Sequence, residues 1–276
     1  MTVRPDKAIL SVAGLSVRVG GALLLDDITF RIAKGEVLCV VGESGAGKST
    51  LLRALQGLVP AICDRFHFAP AGLTLDGTMP GTVGLPKTRW VMQDPLAALN
   101  PRQSLGTSIA ESAHRQAHGT TQLNELVIQA LHDVELEPEF YRRRPGQVSL
   151  GQAQRACLAR ALIAKPELIF FDEPLSALDA LVQKKIARRM DDLREETGMT
   201  YVVVTHDIGF AQAYADQILV LRNGRMEAYQ TRHEFFSAPA SDYAQALIEA
   251  AHRLGALGST APRQPLAAAH TSEAAR

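Results

Sequence analysis

A chain of 276 residues is long enough for one large α/β domain with its own core, or for a main domain carrying a small lobe. The 29 basic residues balance 29 acidic ones and 46% of the residues are hydrophobic, which excludes wholesale disorder and leaves no basic footprint for nucleic acid. No run reaches the roughly 18 apolar residues that cross a bilayer and no export-signal pattern is visible, so a soluble, cytoplasmic chain is expected.

In chain order, segments 9–19 and 23–32 are rich in branched apolar residues and flank Gly20 and Gly21, which predicts an antiparallel pair. Residues 36–41 form a continuous apolar run, as in a strand buried on both faces with helices on either side. A helix is expected from Ser49, ending at Gly57. Residues 59–86, rich in Pro and Gly, predict a long loop. Helical spacing over 104–131, interrupted near His118 and Gly119, predicts a small helical lobe. Helix 153–164, strand 167–171, helix 180–196, strand 200–204, helix 209–215 and strand 217–221 then alternate as in a parallel sheet. Residues 257–276 read as a disordered tail.

Gly42, Glu43, Ser44, Gly45, Ala46, Gly47, Lys48, Ser49 and Thr50 fit the phosphate-cradling pattern G-x-x-x-x-G-K-[ST], set between a buried strand and a helix. Glycines let the backbone curl so that N–H groups converge on phosphate, Lys48 adds charge, and the Ser49 hydroxyl suits Mg²⁺. Asp172 and Glu173 stand at the carboxyl end of the 167–171 strand, where open α/β sheets bind ligands. There Asp172 is expected to hold Mg²⁺ and Glu173 to polarise an attacking water. Cys39, Cys63 and Cys157 lack zinc or disulfide spacing and read as core or loop thiols.

Further motifs lie in a fixed order around these: Gln93, Asp94 and Pro95; then Val148, Ser149, Leu150, Gly151 and Gln152; then Ser176, Ala177, Leu178 and Asp179; then His206. With them the chain resembles the ATP-binding-cassette (ABC) family over residues 9–250. The resemblance implies a P-loop NTPase cassette spanning 5–252, with a RecA-like parallel-sheet core, an N-terminal antiparallel β-subdomain and an inserted α-helical subdomain near 94–164. It implies ATP and Mg²⁺ as cofactors, with Gln93 touching metal and water and hinging the helical lobe. His206 would contact the γ-phosphate, while the other seven of the eight histidines read as structural. Ser149, Gly151 and Gln152 would close over the nucleotide of a second cassette, and Asp179 would lie at the same seam.

Two departures from the family pattern stand out. Leu150 occupies a position where the family has glycine, and no aromatic stands near Val19 to stack on adenine. The segment from Gln93 to Pro101, and the Pro239 and Tyr243 pair, resemble the oligopeptide, dipeptide and nickel importer branch, with the 59–86 insertion and short tail pointing to the nickel or metallophore type. Implied partners are a second, different cassette, two transmembrane permease subunits and an extracytoplasmic solute-binding protein, with the chain peripheral on the cytoplasmic face of the cell membrane and no nucleic acid. The competing expectation is a soluble non-transport cassette, which would carry coiled-coil arms, tandem cassettes or basic patches.

Overall fold

The computed structural model describes residues 8–79, 84–113 and 119–257. Strands β1 (Ala8–Val19) and β2 (Ala22–Ala33) form the expected antiparallel pair, turning through Gly20 and Gly21, both at positive φ. Strand β3 (Val37–Val41) is buried at every position and feeds α1 (Lys48–Leu55). The expected 59–86 loop is corrected by the structure: β4 (Ala61–Phe68) and β5 (Leu73–Met79) pair antiparallel, and β4 pairs with β1. Ala61, Cys63, Phe66 and Phe68 point inward, but a register shift between Cys63 and Phe66 breaks their period of two, and Pro60 and Pro70 bracket the strand. Residues 80–83 lie outside the described residues.

Strand β6 (Thr88–Val91), which the sequence did not betray, is followed by α2 (Pro95–Ala98), α3 (Leu105–Ala113), α4 (Thr120–Asp133) and α5 (Leu150–Leu162). The interruption expected near His118 falls between α3 and α4, where 114–118 lie outside the described residues. Helix α5 starts earlier than the expected 153, because the Ser149 side chain accepts from Gln152 N–H and the Gln152 side chain accepts from Ser149 N–H, a reciprocal cap. Then come β7 (Leu168–Asp172), α6 (Ala180–Thr197), β8 (Thr200–Val204), α7 (Ile208–Tyr214) and β9 (Gln217–Arg222). Beyond them, β10 (Arg225–Thr231), α8 (Arg232–Ser237) and α9 (Asp242–Arg253) were not anticipated as elements.

Among the described residues the strands run in the order β5-β4-β1-β2-β10-β9-β3-β8-β7-β6. From β9 to β6 every pairing is parallel, and β10 joins this part to the antiparallel one through the Arg225 and Asp26 pairing. Alternation along the parallel strands splits the interior into two cores. Val37, Cys39, Val41, Ile169, Phe171, Tyr201 and Val203 face helices α3 to α7 and α9. Leu38, Val40, Leu168, Phe170, Val202 and Val204 face α1, which packs between them and the inward side chains of β1, β2 and β4. Each face therefore has its own apolar cover, as a buried parallel sheet requires. All three cysteine thiols are free and buried, and burial raises their pKa values, in keeping with core thiols.

Candidate functional site

Strands β3, β8, β7 and β6 are neighbours in the sheet, and each delivers one group at its carboxyl end. β3 leads into the glycine loop 42–50, β8 precedes His206, β7 ends in Asp172 and precedes Glu173, and β6 precedes Gln93. Parallel strands in register bring these four chain segments to one edge, which is why residues far apart in sequence meet. They share a cavity of about 300 Å³ lined by Ser44, Gly45, Gly47, Lys48, Ser49, Thr50, Gln93, Glu173 and His206.

The loop is held tightly. A Cβ at Gly42 would collide with the Leu221 carbonyl, and one at Gly47 would stand 2.7 Å from Leu25 Cδ2. Gly42, Gly45 and Gly47 all have positive φ, so only glycine follows this path without strain. Lys48 folds back over the loop, its Nζ donating to the carbonyls of Gly42 at 2.7 Å and Glu43 at 2.8 Å. Burial lowers its pKa, opposed by the nearby Glu173 and Asp172 carboxylates. From the C-terminal end of the chain, Tyr243 Oη accepts the Glu43 N–H at 3.1 Å, while the Arg222 guanidinium lies 4.7 Å above the tyrosine ring.

Ser49 Oγ donates to Asp172 Oδ1 at 3.1 Å. Asp172 is buried, which raises its pKa; the Ser49 hydroxyl pulls it down and Glu173 pushes it up again. Glu173 Oε2 receives Gln93 Nε2 at 3.4 Å, and Glu173 Oε1 lies 3.4 Å from His206 Nδ1. Ser49 thus pairs with Asp172, and Gln93 and His206 flank Glu173, with Lys48 lining the same cavity. A serine hydroxyl, a carboxylate and an amide oxygen make a hard-oxygen donor set that fits Mg²⁺. Among the described residues no group of three or more His, Cys, Asp or Glu gathers elsewhere as an alternative metal cage.

Ser149, Gly151, Gln152 and Asp179 do not line this cavity. Ser149 and Asp179 instead cap α5 and α6, each exposed at a helix N-terminus. Gly151 backs onto the Ala177 carbonyl, where an added Cβ would stand at 3.0 Å, whereas Leu150 is 50% exposed. Val19 is also exposed, at the β1–β2 turn beside Leu23 and Leu24. A second cavity of about 430 Å³ lies behind Glu173 and His206, walled by α7 and α9. Its lining lacks the loop N–H groups and Lys48, so the smaller cavity is the one suited to phosphate. Sequence reasoning missed Gln154, fully buried on α5, and gave Tyr243 no role. The signal for Gln154 was a polar residue on the buried stripe of an otherwise alanine-rich helix face.

A glycine loop, a lysine and paired acids at the carboxyl edge of a parallel sheet define a phosphate-loop nucleotide-binding protein. The family model described as ABC transporter matches residues 25–176. A putative peptide import ATP-binding protein of Brucella ovis is 33% identical over 250 residues, covering 89% of this chain and 79% of that protein. The dipeptide transport ATP-binding protein DppF of Haemophilus influenzae is 34% identical over 242 residues, covering 87% and 74%. An ATP-binding cassette solved as a dimer in a post-hydrolysis state, bound to ADP and Pi, superposes with a TM-score of 0.70 at 26% identity, covering 81% of this chain and 98% of that one. The chain belongs to the ABC transporter family, with the α/β cassette fold and ATP-binding and ATP-hydrolysing activity of that family.

Proposed function

We propose that this chain is the ATPase subunit of a peptide importer and that its turnover centre is the group of residues around Glu173. The observation that carries the reading is the Glu173 carboxylate held between Gln93 Nε2 and His206 Nδ1, at 3.4 Å from each, at the mouth of the cavity lined by the glycine loop. The loop N–H groups and Lys48 receive the β- and γ-phosphates, Lys48 exchanging its carbonyl partners for phosphate oxygens. Glu173 orients a water in line with the γ-phosphorus and takes its proton as the new O–P bond forms and the bond to the β-phosphate oxygen breaks. His206 and Lys48 hold the charge that spreads over the transferred phosphoryl oxygens. Ser49 and Asp172, with Gln93 adjacent, would hold Mg²⁺, which would supply neutralisation of phosphate charge.

Importer function is supported by the peptide- and dipeptide-transport names of the relatives, which favour peptide over nickel or metal-chelate cargo. The insertion that pointed to the metallophore type forms the β4–β5 hairpin. No helix among the described residues is long and apolar enough to cross a membrane; in this reading the translocation path belongs to two permease subunits. The helices between Asp94 and Ala164 form the lobe that meets them on the cytoplasmic face, with 5–252 as the cassette. A second cassette covers the cavity with its own signature segment, while Ser149, Gly151, Gln152 and Asp179 of this chain serve that cassette's nucleotide. Leu150 weakens the latter site and makes the pair asymmetric. Purifying the tagged chain from membranes in mild detergent tests this: two permease subunits and a second cassette should co-purify. Recovery of the chain alone, or only from the soluble fraction, contradicts it.

A further inference from the structure

Gln154 lies on α5 just past the signature segment, and its side chain is completely buried. A buried primary amide needs partners for donor and acceptor alike. Here Nε2 donates to the Glu173 carbonyl at 3.0 Å and Oε1 accepts the Ala177 N–H at 3.1 Å, so one side chain spans the turn that follows β7. Glu173 itself sits at φ 49°, the left-handed region that a residue with a Cβ occupies only when its surroundings hold it there. They hold it at both backbone groups. Its N–H donates to the Val204 carbonyl of β8 at 3.0 Å, and its carbonyl also accepts Ser176 Oγ at 3.0 Å.

We infer that Gln154 is a positioning residue for ATP hydrolysis, tying the helix that carries the signature segment to the backbone of Glu173. The inference rests on Glu173 being the carboxylate that orients water. Its two oxygens stand 3.4 Å from Gln93 and from His206, so a small rotation of the backbone at 173 re-aims the carboxylate. Reaction rate is steep in that geometry. Nucleotide affinity, carried by the glycine loop on β3 and α1, is not touched by it. The same amide joins the helix that serves the partner's nucleotide to the group that acts on this chain's own. A shift of α5 therefore reaches Glu173 through two hydrogen bonds, and the two composite sites are mechanically linked within one chain.

The test is steady-state turnover with nucleotide titration on the assembled transporter, comparing wild type, Gln154→Met, Ser176→Ala and Glu173→Gln. Gln154→Met keeps side-chain length and loses both hydrogen bonds. It should lower kcat per nucleotide-binding site about 10-fold and leave KM and ATP affinity within about 2-fold of wild type. Ser176→Ala changes an exposed hydroxyl with little risk to folding, and should lower kcat about 3-fold at unchanged KM. A merely structural role would reduce the number of binding sites or the melting temperature and leave kcat per site alone. Wild-type kcat per site in Gln154→Met overturns the inference; should that variant not fold, wild-type kcat per site in Ser176→Ala overturns it. Glu173→Gln separates the two levels. Retained turnover there removes the reading of Glu173, whereas a dead Glu173→Gln beside normal Gln154 and Ser176 variants removes the bridge alone.

Discussion

Lys48 is only 7% exposed, with its ammonium on two loop carbonyls and two carboxylates nearby, a cation held in place before any anion arrives. Removing it with Lys48→Ala should cut ATP affinity about 50-fold by calorimetric titration, the scale of a lost charge-assisted contact. Affinity equal to wild type would show that the loop is not the phosphate site. Residues of this kind were legible in the sequence because their chemistry is fixed by spacing within one short segment. Asp172, Glu173, Gln93 and His206 were legible as a set only through their order, and the parallel register then joined them. Gln154 and Tyr243 were not legible as neighbours of the site, because their partners are 19 and 200 positions away in the chain. Nothing local in a helix announces which distant carbonyl or N–H its polar side chain will meet.

Helix α5 begins with a reciprocal cap between Ser149 and Gln152, which leaves Leu150 projecting from its first turn. Gly151 is the position that this chain's own packing demands, against the Ala177 carbonyl, and it is glycine. Leu150 is half exposed, so part of its bulk faces the second cassette proposed to dock at that helix end. Leu150→Gly should therefore raise turnover of the assembled transporter about 2-fold by restoring the second site, since glycine lets backbone approach phosphate. Steady-state assays showing unchanged or lower turnover would contradict the asymmetric pair. At this scale β3, β7, β8 and β9 could be read because burial of the parallel core gives continuous apolar runs. β4 and β5 could not, since a register shift and bracketing prolines disguise their alternation. β6 was hidden for another reason: Arg89, exposed, interrupts a strand of only four residues.

As a whole, the molecule places the glycine loop, Gln93, Asp172, Glu173 and His206 at the carboxyl ends of neighbouring strands in a sheet whose two faces are packed separately. The first core joins the sheet to α3, α4 and α5, so helices proposed to meet the membrane subunits share an interior with the strands that carry Asp172 and His206. The second core joins the glycine loop's helix α1 to the antiparallel strands, at whose β1–β2 turn Val19 is exposed. The helix after the glycine loop and the helical lobe thus pack in different cores, on opposite faces of the same parallel strands. The most direct measurement is turnover of the transporter carrying Glu173→Gln, with ATP binding followed in parallel. The account predicts that ATP still binds and traps a closed cassette dimer while hydrolysis falls at least about 100-fold. Hydrolysis at the wild-type rate in that variant would contradict it.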